Sequence, residues 1–184
     1  MASLVAVAAI HAGQIGDQAL IENLTALPAR LSAMPHCAQP NLQPLADAKR
    51  MFCLGRGLGL AIAGEAALKL KETCLVAAEA ESTSEFRHGP LAVADADTAA
   101  LVFLLDYATQ PGTETLIATL RERGTTVLTI GSGSIDTGVF GLRHPVTQAI
   151  AAITAFYGQV HELSVSLGLN PDAPPHLVKA TLTE

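Results

Sequence analysis

RMFCLGRGLGLAIAGEAALKLKETCLVAAEA, residues 50–80, changes character three times in 31 residues. It opens with a short apolar run, RMFCLG (50–55), which predicts a strand, and passes through GRGLG (55–59), a Gly-rich turn. The next stretch has helical composition, and CLVAAEA (74–80) predicts a second strand. The same alternation continues outward. TAALVFLLD (98–106) predicts a third strand, GTETLIATLRERG (112–124) an amphipathic helix, and TTVLTIG (125–131) a β-branched fourth strand. GVFGLRH (138–144) is a candidate fifth strand, STSEFRHGP (82–90) a loop or short helix, and about 146–168 a long helix. Strands that are apolar throughout and alternate with helices indicate a mostly parallel sheet covered on both faces, a doubly wound α/β domain. On the N-terminal side, residues 2–33 predict two helices broken near Gly13–Gly16, and 34–49 a Pro-containing connection ending in a short polar helix. The expected organisation is N-terminal helices and connector over 1–49, the α/β domain over 50–168, and an irregular C-terminal tail over 169–184.

Composition narrows the functional classes. At 184 residues, with 49% hydrophobic and 15% charged residues, the chain can bury one sizeable core and is not disordered. Every long apolar run is interrupted by Gly, Pro or charge, which argues against a membrane span, and the apolar N-terminus lacks the basic region of a secretory signal. Three cysteines, Cys37, Cys53 and Cys74, without CxxC spacing fit reduced thiols in a cytoplasm. The six histidines form no metal-ligand pair, so a metal site is not expected; no organic cofactor is called for either. A net charge of -6 with 11 Lys plus Arg argues against nucleic acid as a partner.

Within the first helix of the α/β unit, EAALKLKE (65–72) sets charges into an apolar segment. At about 100° per residue Glu65, Lys69 and Glu72 form one stripe roughly 60° wide. Ala61, Ile62 and Leu68 flank it, and Lys71 lies on the far side. One reading is an ordinary Glu65–Lys69 pair at i, i+4 on a solvated face, contributing a few tenths of a kcal/mol. The other is a cleft or interface, because apolar walls beside a charge stripe are unusual for a surface helix.

In a doubly wound sheet ligands bind outside the carboxyl ends of the strands, which here open with GRG (55–57), EST (81–83) and GSGS (131–134). Gly55, Arg56 and Gly57 would let backbone N–H groups approach an anion at a helix N-terminus, or would simply make a tight turn. Leu60 stands where a dinucleotide fingerprint needs its third Gly. Ser82, Thr83 and Ser84 supply hydroxyls, and His88 precedes Gly89 and Pro90 in SEFRHGP. His88 is either a structural histidine or a proton-transfer group. Lys179 sits in the tail, where spacing alone would not single it out.

Taken in order, the motifs carry a resemblance. FCLGRGLGLAIAGEAALKLKETCLVAAEAESTSEFRHGPLAV (52–93) resembles the second sugar-isomerase (SIS) domain of the isomerase half of glucosamine-6-phosphate synthase and of related aminosugar-phosphate deaminases. The shared pattern is strand, GRG, a helix carrying E-x-A-L-K-L-K-E, then H-A-E-A and K/R-H-G-P. The tail NPDAPPHLVKATLTE (170–184) is similar to the family's D-x-P-R-x-L-x-K-S-V-T. The resemblance implies that Glu72 shuttles a proton between C1 and C2 of an open-chain sugar, that Lys69 supports it, and that Glu65 orients Lys69. It further implies that His88 assists ring opening in a neighbouring subunit's site and that Lys179 reaches the carbonyl region of the sugar. A sugar phosphate and a second copy of the chain are the implied partners.

Three departures accompany it. The Ser/Thr phosphate loop of a first SIS domain is absent, and residues 1–33 look like the closing helices of such a domain. Ala77-Ala78-Glu79-Ala80 replaces H-A-E-A, and Pro175 stands where the family has Arg. The expectation is therefore the catalytic half of an aminosugar-phosphate isomerase or deaminase, with a non-catalytic phosphosugar-binding module or a truncated remnant as the alternative.

Overall fold

A computed structural model describes residues 2–33, 41–105, 110–131, 142–175 and 177, with side chains from Val7 onward. Two helices, α1 (Ala2–Ile15) and α2 (Gln18–Ser32), and the single turn α3 (Gln43–Ala46) precede the α/β unit. There β1 (Arg50–Gly55), α4 (Leu58–Cys74), β2 (Ala78–Ser82), β3 (Thr98–Leu104), α5 (Gln110–Glu122), β4 (Thr126–Gly131) and α6 (Pro145–Ser166) follow. The four strands pair in the order β2-β1-β3-β4, and every pair is parallel. This is the doubly wound α/β arrangement expected from the apolar strands.

Alternation along the strands sorts the core into two layers. Met51 and Cys53 of β1, with Leu101 and Phe103 of β3, pack against Ala63, Ala66, Ala67 and Leu70 of α4 and Phe156 of α6. Phe52 and Leu54, with Ala100, Val102 and Leu104, face the opposite way, onto Leu116, Ile117 and Leu120 of α5 and onto Phe86. Burial pushes the Cys53 thiol up to about 12, so this cysteine is packing material and not a reactive group.

The second strand begins later than its sequence suggests. CLVAAEA predicts a strand from residue 74, yet α4 runs through Cys74 and β2 starts at Ala78, opposite Met51. Leu75 adopts a left-handed conformation (φ 57°) and Val76 N–H donates to Leu70 O, a helix-ending turn usually built on Gly. Tertiary pairing with β1 therefore overrides the apolar run. STSEFRHGP forms two short 3-10 turns, Glu85–His88 and Pro90–Val93. Of the candidate fifth strand, 138–141 lie outside the described residues and Leu142–His144 run outside any ladder.

The N-terminal helices pack on α6: Ala12, Leu20, Leu24 and Leu27 meet Leu142, Ile150 and Ala151. A polar clasp closes this joint. Asp17 Oδ1 accepts from Leu20 N–H (2.9 Å) and caps α2, while Asp17 Oδ2 faces His144 Nε2 at 3.3 Å. His144 Nδ1 accepts from Val146 N–H and caps α6, and Asn23 Oδ1 accepts the N–H groups of Arg143 and His144. With Nδ1 accepting, it is the Nε2 edge of the ring that faces Asp17.

The Leu20 N–H first, and then His144, hold the Asp17 carboxyl below its ordinary value of 3.8. A depressed carboxylate contributes stability that is present above 3.8 and lost as pH falls through the folded-state value. Asp17→Asn retains a capping oxygen but no charge. Its melting temperature will decline less steeply than that of the wild type as pH drops below 3.8, and parallel declines would show that the clasp carries no ionic contribution.

Candidate active site

Glu65, Lys69 and Glu72 form a contiguous charged cluster on the flank of α4. Lys69 Nζ lies 2.6 Å from Glu72 Oε2 and 3.7 Å from Glu65 Oε1. All three side chains are about two-thirds buried, with relative exposures of 32%, 31% and 28% in chain order. That is intermediate between a solvated helix face and a core. The Glu72 hydrogen bond, then the charge of Glu65, raise the Lys69 pKa against the opposing effect of burial, so the lysine is an ammonium at neutral pH. Leu68, beside the stripe, is 43% exposed.

A fourth group joins from α6. Tyr157 O–H donates to Glu65 Oε1 at 2.9 Å, across 92 positions of sequence. Burial first, and then Glu65, push the Tyr157 phenol up to about 12, so it remains a donor. Sequence reasoning missed this residue. A tyrosine after Phe156 in an apolar helix reads as packing, and only the contact between α4 and α6 brings it to the carboxylate.

The carboxyl ends of the strands collect the second group of candidates. Gly55 is level with Ser82 on β2 and Phe103 on β3. A Cβ on Gly55 would lie 2.1 Å from the Gly59 carbonyl oxygen, and Gly57 (φ 55°) turns the chain into α4 in a conformation that L side chains rarely adopt. Arg56 between them is exposed. Thr83 N–H donates to Gly55 O (3.0 Å), its buried hydroxyl lies 3.3 Å from that of Thr113 at the start of α5, and the hydroxyls of Ser82 and Ser84 are 2.8 Å apart. The GRG and EST segments thus share one edge.

These two groups do not meet within the chain. Glu72 lies fifteen residues beyond Gly57, roughly 22 Å along the helix axis, and the helix runs away from the carboxyl edge. His88 is separate again. Phe86 is fully buried in the α5-side layer and stacks edge-to-face on Phe52 (centroids 4.9 Å apart), while Arg87 donates to Gly112 O at 2.7 Å. His88 follows them, exposed, two residues beyond the Phe86 that is buried in the layer opposite α4. Lys179 lies outside the described residues.

Comparison with known proteins gives the family. The profile of the SIS domain matches residues 44–137, just over half the chain. The chain belongs to the SIS domain family. Its relatives include glutamine–fructose-6-phosphate aminotransferase [isomerizing] of Aeropyrum pernix, 31% identical over 150 residues, 76% of this chain and 24% of that protein. The Buchnera aphidicola enzyme of the same name is 29% identical over 175 residues, 90% of this chain and 29% of that protein. Among solved structures, a Silicibacter pomeroyi DSS-3 protein provisionally classed as a phosphosugar isomerase superposes with a TM-score of 0.78 at 29% identity, covering 91% of this chain and 53% of that one. The SIS chain thus spans 24% and 29% of these curated relatives and about half of that solved structure. Among the described residues no helix is long and apolar enough to cross a membrane.

The turn into α4 gives a direct test of this edge. Gly55→Ala puts a methyl group against backbone and destabilises the SIS domain by about 1–3 kcal/mol in a denaturant melt. An unchanged midpoint would show that the turn relaxes freely.

Proposed function

We propose that this SIS domain is the catalytic half of an aminosugar-phosphate isomerase or deaminase, of the type that converts glucosamine-6-phosphate to fructose-6-phosphate. One observation carries the reading: two carboxylates and an ammonium are held together, partly desolvated, on one flank of α4. The names of the Aeropyrum and Buchnera relatives and of the Silicibacter protein support the substrate class. The segment E-S-T-S-E-F-R-H-G-P favours deamination over synthesis.

The chemistry fits the groups. Moving a proton from C2 to C1 of an open-chain sugar needs a base beside both carbons, and Glu72 fills that role. The developing enediolate oxygen needs positive charge, which Lys69 supplies from beside the base, while Glu65 holds the lysine from its other side. With an amine on C2, reprotonation at C1 leaves an imine at C2, and water releases it as ammonia and the ketose. His88 is assigned to ring opening and Lys179 to the carbonyl end of the sugar. Gly55, Arg56, Gly57, Ser82, Thr83 and Ser84 are proposed to bind substrate through anionic or hydroxyl groups.

Glu72 lies roughly 22 Å along α4 from Gly57, farther than the length of a hexose phosphate. Within one chain Glu72 and the GRG turn are too far apart to hold the same molecule, and His88 follows Phe86 of the layer opposite α4. A second body must therefore complete the site, and the exposed apolar Leu68 beside the cluster gives it a contact to meet. A second copy of the chain is the proposed partner, with residues 1–49 as the helices that follow a first SIS domain, 50–168 as the SIS domain and 169–184 as its tail. A cytoplasmic location accords with a phosphorylated metabolite.

Turnover of glucosamine-6-phosphate by the purified chain tests the reading, followed as ammonia release and ketose formation. Glu72→Gln will lower the rate by about 10²–10⁴-fold, the usual contribution of a general base. Saturable binding of the sugar phosphate by a folded wild-type dimer without any turnover would instead establish a binding module.

A further inference from the structure

Resting on the proposed use of the α4 cluster, we propose that Tyr157 is a positioning residue that acts through Glu65, holding this carboxylate off Lys69 so that the ammonium stays on Glu72. The cluster is asymmetric in a way that α4 alone does not explain. Glu65 and Lys69 are four residues apart in the favourable order, a spacing that ordinarily allows a close pair. A charge-assisted hydrogen bond would bring them to about 2.7–2.9 Å. They instead stand 3.7 Å apart, while Lys69 closes to 2.6 Å on Glu72, only three residues away. The difference is the occupant of Glu65 Oε1. This same oxygen accepts the Tyr157 O–H at 2.9 Å, and it is the oxygen nearest Lys69.

The tyrosine is well placed to impose that choice. Its neighbour Phe156 is fully buried, stacks edge-to-face on Phe103 and lies 6.4 Å from the Tyr157 ring, which anchors this turn of α6 on the sheet. From the second helix, then, a fixed donor neutralises part of the demand of Glu65 for a partner. Among the described residues, the charged and titratable groups facing Lys69 are Glu65 and Glu72 of α4, with Tyr157 reaching Glu65 from α6. The consequence for a proton shuttle follows from charge balance. While Glu72 is ionised it keeps the ammonium; once it takes a proton from carbon it no longer attracts the lysine, and Glu65 is the remaining anion within reach. Tyr157 keeps that second carboxylate from competing for the ammonium while Glu72 is ionised.

The test reads Lys69 itself, in the full chain. Competitive acylation of the lysines across pH, resolved by peptide mass spectrometry with the exposed Lys71 as internal reference, gives the basicity of Lys69 in each variant. In the wild type, Glu72→Gln should raise the labelling of Lys69 at fixed pH on the order of tenfold, and Glu65→Gln should change it much less. In Tyr157→Phe the order should reverse, with Glu65→Gln giving the larger effect, because Glu65 has taken over the ammonium. Tyr157→Phe keeps the ring at a 39%-exposed position, and an unchanged melting temperature will verify the fold. Equal effects of both glutamine substitutions in the two backgrounds would overturn the proposal. In the turnover assay Tyr157→Phe should lower kcat with KM unchanged. Absence of wild-type turnover would count against the proposed reaction alone, since the labelling decides the role of Tyr157 by itself.

Discussion

Helix α4 can lie close against the sheet because its inward face is made of small residues. Ala63, Ala66 and Ala67 are buried there with Leu70, and the turn that delivers the helix has no room for a Cβ on Gly55. Close approach fixes the rotation of the helix about its axis, since a large residue on the inward face would lift it away. With that rotation set, the stripe of Glu65, Lys69 and Glu72 can point neither into the core nor fully into water. It emerges at the boundary between α4 and α6, where two-thirds burial strengthens the ion pairs without isolating them from solvent. The alanine face and the charge stripe are two aspects of one constraint.

The parallel sheet then imposes a separation. Right-handed crossover connections put the loops at one edge of the sheet and send each helix back toward the other. A group at the start of α4 and a group at its end are held a helix length apart by the same hydrogen bonds that make the domain stable. His88 is kept from the α4 cluster differently, by the burial of Phe86 in the opposite layer. Neither separation can be closed by a side-chain rotation, which is why the proposed chemistry requires a second body and not a rearrangement of this one.

How far the sequence could be read follows the range of the interactions involved. The βαβ unit was legible because strand, turn and helix are signalled locally: an apolar run, a glycine turn, then helical composition. The stripe was legible because helical periodicity alone places residues 65, 69 and 72 together. The start of β2 was not, because Leu75 ends α4 in a left-handed conformation that its side chain does not advertise, and register with β1 decides where pairing begins. Tyr157 was invisible for the same reason at longer range. Its meaning depends on α6 crossing α4 at one particular level, and no local pattern encodes that.

The charge of the cluster also limits what it can hold. Two carboxylates and one ammonium sum to a single negative charge, on a chain whose net charge is -6. Such a surface repels a phosphate, and Lys69 is already committed to a carboxylate at 2.6 Å. In the proposed reaction the cluster therefore suits the uncharged carbon end of the sugar, where a proton moves and an oxygen briefly gains charge. The phosphate needs a surface elsewhere, with N–H groups, hydroxyls or guanidinium groups free of internal partners. Exposed Arg56 and the GRG turn belong to that class of surface and lie at the opposite end of α4. Separate surfaces for the reacting carbons and for the phosphate follow from electrostatics, and the proposed carbon-facing surface is the flank of α4 that Tyr157 of α6 joins.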